Sequence, residues 1–420
     1  MMDGWYWKPP VARPFATRLH RTCMSFGGLS RRSWVFLTPA RAPQRSRDMA
    51  DRVPGEPAPE LYVALIAGGG GTRLWPKSRR RMPKQLMPLV GPRSLLQMAA
   101  ERALPLCGTQ RLYVVTARDL VDLVRTQLPE VPPAQVIGEP VARNTAMAIG
   151  LAAACIARQD PQAIMASLGS DHLIHDGEGF RRSLLLAARA AADGTRLVTI
   201  GVEVRSPHTG YGYIERGEEV RLDGETVFRV RAFKEKPDLA LATQYWQSGN
   251  YYWNTNYFVW RVDALFQAFH THAPDLAAGL ERIRAALGTA AEEPVIHEVY
   301  QQAPSVPIDT AIMEKADNLL VVPGSFDWVD VGSWSDLDIL ARPDGANAIL
   351  APEQTAALLV DSAGCLVHGF TAKRVIAGVG LEDLIIVDTP DALLVLPRAR
   401  AQDVREIVNR LAEQGRTDLL

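Results

Sequence analysis

Short apolar runs alternate with stretches of helical periodicity along most of this chain, beginning near residue 60. Several runs have the length and the aliphatic content of buried strands, at residues 61–68, 111–117, 134–140, 162–172 and 196–202. The stretches between them predict helices at residues 94–103, 120–127, 145–158 and 179–192. This alternation predicts an α/β fold with a doubly wound, mostly parallel sheet, which binds ligands beyond the carboxyl ends of its strands.

The pattern changes beyond about Pro343, where helical stretches give way to short β-like runs and a final helix at residues 401–413. We therefore predict a large α/β domain at residues 59–342 and a small β domain with a terminal helix at residues 343–420. Residues 1–58 are predicted to be a leader outside the fold. Residues 1–48 are rich in arginine and poor in acid, which is typical of a transit peptide. The alternative is an over-extended gene start, with translation beginning at Met49.

The composition argues against several classes of partner. The chain has 420 residues and a formal net charge of −1, so no global charge directs it to nucleic acid or to a membrane surface. No apolar stretch reaches the roughly 18–20 residues that a membrane-spanning helix needs. The four cysteines are widely spaced and form no CxxC pair, which indicates reduced thiols rather than disulfides or a zinc site. These features predict a cytoplasmic protein.

The first apolar run opens into the segment AGGGGTRLWPKSRRRMPKQ at residues 67–85. Gly68–Gly71 carry no side chains, so their backbone N–H groups can converge on an anion, and a series of cations from Arg73 to Lys84 follows. The segment has neither the G-x-G-x-x-G spacing of a dinucleotide fold nor the G-K-[ST] of a Walker loop, and two X-Pro steps prevent a continuous helix. It predicts an extended loop for a triphosphate. The alternative is a glycine-rich turn beside a solvated basic loop.

This segment resembles the signature loop of the nucleotide-sugar pyrophosphorylases. Its L-W-P and P-K-Q elements favour the mannose-1-phosphate guanylyltransferase (GDP-mannose pyrophosphorylase) branch. Further segments match the family in order: EPVARNTAMAIGLAA (139–153), GSDHLI (169–174), TGYGYIERG (209–217), FKEKPD (233–238), WNTNYF (253–258) and FDWVDVGSW (326–334). The resemblance covers roughly residues 60–415 and implies a Rossmann-like nucleotidyltransferase fold followed by a small β-helix-like domain.

Two aspartates from distant parts of the chain are candidate ligands of Mg²⁺, Asp171 in GSDHLI and Asp330 in FDWVDVGSW. Mg²⁺ prefers one or two carboxylates completed by water and phosphate oxygens, and it offsets negative charge in phosphoryl transfer. The resemblance implies that both aspartates hold the metal, and that Arg73 and Lys84 act with them as catalytic residues by screening the triphosphate. Taken singly, each aspartate could equally be a helix cap or a turn former.

The resemblance also implies two substrate sites. The nucleotide site comprises Ala67, Gly68, Gly69, Gly70, Gly71, Thr72, Glu139, Arg143, Asn144 and Thr145. The sugar phosphate site comprises Gly212, Glu235, Lys236 and Asn254. From the residues alone, Asn144 or Thr145 could simply cap a helix, and Glu235 with Lys236 could be an ordinary surface ion pair.

One segment departs from the family pattern. The usual W-N-[ST]-G-[MI]-F reads WNTNYF here, with Asn256 in place of the glycine and Tyr257 in place of the aliphatic residue. Asparagine tolerates a left-handed backbone better than most residues, so we expect the turn to be preserved.

The resemblance implies an enzyme that transfers GMP from GTP to α-D-mannose 1-phosphate, forming GDP-mannose and diphosphate, with Mg²⁺ as its cofactor. The alternatives are a nucleotidyltransferase for another hexose 1-phosphate or NTP, and a non-catalytic paralogue that senses nucleotide sugars. We expect no nucleic-acid or membrane partner and a homo-oligomer, most simply a dimer. Because no long cupin-like extension follows the last motif, we expect no phosphomannose isomerase activity.

Overall fold

A nine-stranded sheet forms the centre of the protein in a computed structural model that describes residues 60–340, 347–350, 356–370 and 373–420. The predicted leader at residues 1–58 lies outside the described residues. The strands of this part, in chain order, are β1 (Leu61–Ala67), β2 (Leu112–Ala117), β3 (Val136–Glu139), β4 (Ile164–Gly169), β5 (His172–Leu173), β6 (Leu197–Glu203), β7 (Gly212–Leu222), β8 (Glu225–Glu235), β9 (Tyr251–Arg261), β10 (Leu319–Pro323) and β11 (Val329–Asp330). The sheet order is β3-β2-β1-β4-β9-β6-β10-β8-β7, and β5 and β11 pair in a separate ribbon.

The first half of this sheet is parallel, as the alternation of strands and helices predicts. Strand β1 pairs in parallel with β2 and β4, and β2 pairs in parallel with β3, so the carboxyl ends of these four strands lie along one edge. The second half was not predicted from the pattern: β9 lies antiparallel between β4 and β6, and β7 and β8 form a long antiparallel hairpin. Most of β9 is buried, so it lacks the clean alternation of a half-exposed strand.

Helices flank the sheet, and the four predicted ones are present with shifted ends. The helices are α1 (Leu95–Cys107), α2 (Val121–Gln127), α3 (Asn144–Ala157), α4 (Gly177–Ala191), α5 (Leu239–Ser248), α6 (Val262–His272), α7 (Pro274–Ala286), α8 (Glu292–Gln302) and α9 (Val404–Glu413). Helix α1 begins with a capping box formed by Ser94 and Gln97. Helix α3 is apolar all round because it lies between the sheet and helices α6 and α7. None of the helices among the described residues is long and apolar enough to span a membrane.

Two apolar cores lie on opposite faces of the sheet. Side chains alternate along β1, so Val63 and Leu65 belong to the core that includes α1 and α4, whereas Tyr62 and Ala64 belong to the core that includes α3, α6 and α7. Burial on both faces explains why β1 is a continuous apolar run in the sequence. The buried strand ends at Ala67, so the glycines that follow emerge at the carboxyl edge of the sheet.

The small β domain is built mainly from parallel strands stacked as in a β-helix, and its last strand pairs antiparallel with the strand before it. Its described strands are β12 (Ala348–Leu350), β13 (Ala356–Val360), β14 (Leu366–Gly369), β15 (Val375–Val379), β16 (Leu384–Asp388) and β17 (Leu393–Pro397). Strands β12, β14 and β16 pair in parallel, and β13 pairs in parallel with β15. The terminal helix α9 begins at Val404, after a 3₁₀ segment, rather than at residue 401. The proposed boundary at residue 342 falls outside the described residues and stays a prediction.

The β domain packs against the glycine-rich segment. A third apolar core joins Leu74 and Trp75 of that segment to side chains of β14, β16 and α9. The indole Nε1 of Trp75 donates to the carbonyl of Leu419 at 2.9 Å, and Arg79 donates to both carboxylate oxygens of Asp391 at 3.0 and 3.1 Å. The end of the chain therefore supports a loop that lies near its beginning.

Candidate active site

Four glycines follow β1 and form an open loop at the carboxyl edge of the sheet. These are Gly68–Gly71. A Cβ atom added to Gly68 or Gly69 would have no described atom within 4 Å. The carbonyl of Ala67 accepts from Gln85 Nε2 at 2.9 Å, and the carbonyl of the last glycine accepts from Ser78 Oγ at 2.7 Å. Among the described residues, no hydrogen bond uses the backbone N–H groups of the four glycines. Free donors in a loop without side chains fit a polyphosphate.

Gly71 allows Lys84 to approach this loop closely. Its φ of +57° is left-handed, and a Cβ atom there would lie 2.8 Å from the Cβ of Lys84. Any other residue would therefore strain the backbone and push Lys84 away. Arg73 is exposed in the 3₁₀ turn Thr72–Leu74, and its guanidinium lies 3.8 Å from where a Cβ of Gly332 would be. The loop thus brings a lysine and an arginine towards the segment that carries Asp330.

Lys84, Asp171 and Asp330 converge at one point. The β5–β11 ribbon pairs His172 with Asp330, which places Asp171 beside Asp330. The ammonium of Lys84 lies 2.8 Å from Asp171 Oδ2 and 3.3 Å from Asp330 Oδ1, and it donates to the carbonyl of Val331 at 3.0 Å. Burial alone would lower the pKa of Lys84, but the two carboxylates outweigh burial and raise it. Burial alone would likewise raise the pKa of Asp171, but the Lys84 ammonium lowers it.

These carboxylates fit a Mg²⁺ site that the substrate would complete. They already share one cationic group, which shows that both can point at a single positive charge. Within the described parts of the chain, no group of three or more His, Cys, Asp or Glu side chains could hold a metal by itself. A cation bound here would take its other ligands from water and phosphate oxygens, as Mg²⁺ prefers.

A buried histidine packs behind Asp171. The hydroxyl of Tyr257 lies 2.9 Å from His172 Nδ1, and His172 Nε2 lies 3.6 Å from Asp171 Oδ1. The ring of Trp328 meets the imidazole edge-on at 5.2 Å between centroids. Burial lowers the pKa of His172 despite the nearby carboxylates, so the ring is neutral near pH 7. Tyr257, which replaces the aliphatic residue of the family pattern, therefore hydrogen-bonds His172, and His172 packs behind the candidate metal ligand Asp171.

The predicted sugar phosphate residues lie close together where the β7–β8 hairpin borders β9, and this cluster is called the sugar pocket. Gly212 begins β7 directly opposite Glu235, the last residue of β8. A Cβ atom on Gly212 would collide with the carboxylate of Glu235 and lie 3.2 Å from the Cβ of Asn254. Lys236 has a left-handed φ of +46°, and its ammonium lies 3.0 Å from Glu235 Oε1. The absence of a side chain at Gly212 leaves room for the Glu235 carboxylate, and the turn brings the two charged side chains together.

A bulge in β9 brings the side chains of Asn254 and Asn256 into contact. The register with β6 shifts at this point: Ile200 lies opposite Tyr257, whereas the next residue, Gly201, lies opposite Asn254. Two residues of β9 are therefore left without a partner in β6. One of them, Asn256, has a φ of +57°, so the expected left-handed turn is confirmed. Its backbone N–H donates to Asn254 Oδ1 at 3.1 Å.

Both amide hydrogens of Asn254 are engaged. Its Nδ2 donates to Asn256 Oδ1 at 2.6 Å and to Asp309 Oδ1 at 3.0 Å. Asp309 begins a π-helical turn, Asp309–Met313, and is only 8% exposed. Burial, with the charge of Glu235, raises the pKa of Asp309 to about 7. A buried carboxyl group therefore lies directly behind the sugar pocket.

Glu139 lies at the same edge of the sheet as the glycine loop. The register pairs Ala67 with Thr116, and Ala117 with Glu139, so the two sites are separated by two strand spacings, about 10 Å. Glu139 is 8% exposed, and its Oε1 has no hydrogen-bond partner among the described residues. Burial raises the pKa of this carboxyl to about 7, although the Tyr300 hydroxyl acts in the opposite direction. An unpaired, buried acceptor beside a phosphate loop suits a ligand N–H group.

The other three residues of this segment make structural contacts as well. Arg143 donates to the carbonyls of Tyr300 and Gln301 at the end of α8, at 2.5 and 2.9 Å. Asn144 has a left-handed φ of +64°, and its Oδ1 accepts the N–H of Thr145 at 2.9 Å. Neither Asn144 nor Thr145 occupies the N-cap of α3, which is Arg143 and makes no side-chain cap bond. Their predicted nucleotide contacts stay predictions.

Sequence reasoning missed Asp309 and the supporting role of Tyr257. The segment PIDTAIMEK contains Asp309 but matches no spacing rule, and the contact with Asn254 joins distant parts of the chain. In the sequence, Asp309 is marked only by its place beside an apolar stretch. Tyr257 differs from the aliphatic residue of the family pattern, but the sequence does not show what it contacts.

Comparisons with known proteins agree with this geometry. Residues 63–342 match the family model described as nucleotidyl transferase, and residues 356–411 match the MannoseP isomerase/GMP-like beta-helix domain. A mannose-1-phosphate guanylyltransferase of Escherichia coli is 36% identical over 370 residues, which cover 85% of this chain and 75% of that protein. The alginate biosynthesis protein AlgA of Pseudomonas aeruginosa is 34% identical over 85% of this chain and 73% of its own length.

A solved structure has the same fold over most of the chain. It is a Thermus thermophilus protein described as a mannose-1-phosphate geranyltransferase, with a TM-score of 0.76 and 34% identity over 84% of this chain and 99% of that one. The fold class predicted from the sequence, an α/β nucleotidyltransferase with a small C-terminal β domain, is therefore confirmed. The chain is an enzyme of the nucleotidyl transferase family and belongs to its mannose-1-phosphate guanylyltransferase branch.

Proposed function

We propose that this protein transfers GMP from GTP to α-D-mannose 1-phosphate, giving GDP-mannose and diphosphate. The observation that carries the proposal is the convergence of Lys84, Asp171 and Asp330 beside a glycine loop whose N–H groups bond no other group in the described part of the chain. The names of the E. coli and Klebsiella pneumoniae relatives support this pair of substrates.

The nucleotide binds along the carboxyl edge of the first four strands. The glycine loop and Thr72 hold the phosphates through backbone N–H groups, with Arg73 and Lys84 neutralising their charge. Glu139 lies at a distance that suits the base of the same nucleotide. Its carboxylate, whose Oε1 has no partner among the described residues, would accept from the N1–H and N2–H groups of guanine, donors that adenine does not present in this arrangement.

The sugar phosphate binds in the pocket of Gly212, Glu235, Lys236 and Asn254. Lys236 holds the phosphate and Glu235 binds sugar hydroxyls, while Asn254 accepts from a sugar hydroxyl through Oδ1, because both of its amide hydrogens are engaged. The phosphate oxygen is already ionised near neutral pH, so it attacks the α-phosphorus in line without a covalent enzyme intermediate. The residues of the pocket hold the two substrates in position, which accounts for a large part of the rate in phosphoryl transfer.

Asp171 and Asp330 would hold the Mg²⁺ ion, since their carboxylates converge on one cation. When bound, this ion would stabilise the charge that gathers on the α-phosphoryl oxygens. Lys84 acts from the same place, because its ammonium is confined between the carboxylates and the loop that holds the triphosphate.

A different pair of substrates is the main alternative within the same chemistry. A non-catalytic, sensing role is disfavoured because every charged residue that the chemistry needs is present, including both aspartates, Lys84 and Lys236. The cytoplasmic location and a homo-oligomer, most simply a dimer, are further proposals, the latter tested by light scattering of the purified protein.

A substrate matrix tests the proposal. The purified protein is assayed for diphosphate release with GTP, ATP, UTP, CTP and dTTP, each against mannose, glucose and galactose 1-phosphates, with Asp171→Asn as the blank. We expect kcat/KM for GTP with mannose 1-phosphate to exceed every other pair by at least 10-fold. A different pair giving the highest kcat/KM would contradict the substrate assignment, and diphosphate release equal to the blank for all pairs would contradict the transferase itself.

A further inference from the structure

Asp309 is a charged group that the proposed reaction does not use. Its carboxyl is 8% exposed, and no cation among the described residues forms an ion pair with it. Among the described residues, the charged groups with the largest effect on its pKa are both acidic, Glu235 from β8 and Glu314 from the same segment. A buried carboxylate without a cation is costly, so such groups are retained mainly where they have a function.

The segment around Asp309 is fixed in an uncommon backbone geometry. Asp309–Met313 is a π-helical turn, a rare form that frequently occurs at functional sites. The N–H of Ile308, just before it, donates to Thr145 Oγ1 at 2.9 Å. Consecutive residues therefore contact the nucleotide segment on one side and the sugar pocket on the other.

The polarity of the Asn254 amide is determined by its partners. A backbone N–H can only donate, so the N–H of Asn256 fixes Oδ1 of Asn254 on its own side, at 3.1 Å. Asp309 Oδ1 accepts from Nδ2 on the opposite side, at 3.0 Å, and in its ionised form the carboxylate can only accept. The backbone donor on one side and the ionised acceptor on the other therefore favour one orientation of the amide.

We propose that Asp309 is a positioning residue of the sugar pocket, which holds the side-chain amide of Asn254 in the orientation that binds the sugar of the hexose 1-phosphate. This inference rests on the proposed function, because Asn254 is assigned there to the sugar. Burial raises the pKa of Asp309 to about 7, which agrees with a carboxyl kept in an unfavourable place for a task. Asp309 acts through Asn254 and is not itself assigned a contact with the substrate.

The test compares two substitutions that differ in one hydrogen-bond acceptor. Asp309→Leu has a similar size but cannot accept from Asn254, whereas Asp309→Asn keeps an acceptor oxygen. We expect the leucine variant to raise KM for mannose 1-phosphate at least 10-fold with KM for GTP changed less than 2-fold, and the asparagine variant to raise it less than 3-fold. Glu314→Gln removes a neighbouring, exposed charge and serves as the control, with both KM values unchanged.

A reversed pair gives an independent arm that does not depend on the leucine variant folding. Asn254→Asp places two carboxyl groups face to face and should raise KM for mannose 1-phosphate at least 10-fold. In the double variant with Asp309→Asn, the amide at position 309 would donate to the carboxylate at position 254, so donor and acceptor exchange places. The KM for mannose 1-phosphate should then be at least 3-fold lower than in Asn254→Asp alone. No recovery would overturn the proposal. So would a leucine variant that lowers the melting temperature and leaves the KM for sugar phosphate unchanged.

Failure of the substrate assignment is distinguishable from failure of this inference. If the wild-type protein prefers another sugar phosphate, the same ratios of KM are measured with that compound. If it shows no transferase activity, calorimetric titration with mannose 1-phosphate replaces KM. A dissociation constant that is equal in the wild-type, leucine and asparagine proteins would then overturn the positioning role.

Discussion

Glu139 and Asp309 are two carboxyl groups buried at the edges of the substrate sites, and burial raises the pKa of each to about 7. A raised pKa means that the folded protein binds the proton more tightly than the unfolded chain. Proton binding by these two groups therefore contributes fully to the stability of the folded protein below their pKa in the unfolded chain, and this contribution is lost as the pH rises through about 7. At neutral pH and above, the protein retains these two charges at a cost in stability.

Glu139→Gln should relieve that cost while weakening the recognition of the base. Removing the charge should raise the free energy of unfolding by about 1–3 kcal/mol at pH 8 relative to the wild-type protein, and by much less at pH 5.5. Urea denaturation at the two pH values measures this difference. The same variant should raise KM for GTP at least 10-fold, since the amide offers one acceptor and no charge. Equal stability changes at both pH values would contradict the burial argument.

Asn256→Gly restores the glycine that the family pattern has at this position. The left-handed φ of +57° suits glycine, but the side chain that accepts from Asn254 Nδ2 at 2.6 Å is lost. We expect a stability change below about 1 kcal/mol and a KM for mannose 1-phosphate that falls 2- to 5-fold, because one amide hydrogen of Asn254 is released for the sugar. A rise of 10-fold or more in that KM would show instead that Asn256 itself binds the sugar, and a rise confined to another sugar phosphate would change the substrate assignment.

Individual residues could be predicted where the motif itself contains the chemistry. The glycines, Lys84 and the two aspartates were identified because each occurs in a segment with a recognisable order. Asp309 could not be found this way, since its importance comes from a hydrogen bond to Asn254 that only the fold creates. The raised pKa of Glu139 likewise depends on burial at the end of β3, which composition does not show.

Two very short strands bring the candidate metal ligands together at the level of elements. Strands β5 and β11 contain only His172–Leu173 and Val329–Asp330, yet their pairing places Asp171 and Asp330 on one cation. The pattern of the chain predicted β1–β4, β6 and their helices because those signals are local. It did not predict β9 or its bulge, because the pairing with β4 and β6 depends on residues far away in sequence.

Asp171→Asn and Asp330→Asn should each abolish turnover while the protein stays folded. Loss of one of only two carboxylates should cost several kcal/mol of transition-state stabilisation, about 10³-fold or more in kcat. EDTA should stop the wild-type reaction, and added Mg²⁺ should restore it. Asp327→Asn is the matched control, because Asp327 lies in the same segment but bonds His175 and the backbone of Asp176. Undiminished turnover in EDTA would contradict the two-aspartate metal site.

At the scale of the whole molecule, the C-terminal β domain supports the glycine-rich loop that follows β1. Trp75 is 7% exposed within the apolar core shared with the β domain, and its Nε1 donates to the carbonyl of Leu419. Arg79 is held by Asp391 in the turn between β16 and β17. The resemblance predicted a β-helix-like domain, but not that the domain contacts the phosphate loop, because no sequence motif encodes that interface.

Weakening this interface should reduce affinity for the nucleotide. The double variant Trp75→Phe, Asp391→Asn removes the indole donor and the charge that holds Arg79, each worth about 1 kcal/mol. We expect KM for GTP to rise 3- to 10-fold, with KM for mannose 1-phosphate changed less than 2-fold. Asp403→Asn, which breaks the exposed ion pair with Arg400 in the same domain, is the control and should change neither. Equal KM values for GTP in the double variant and the wild-type protein would show that the β domain does not position the loop.

The most direct test of the assigned reaction is ³¹P NMR of the purified protein with GTP, mannose 1-phosphate and Mg²⁺. We expect the resonances of both substrates to decline together, and those of GDP-mannose and diphosphate to appear in equal amounts. The same mixture with Asp330→Asn should remain unchanged. Hydrolysis of GTP without consumption of mannose 1-phosphate, or no reaction from a folded wild-type protein, would contradict the account.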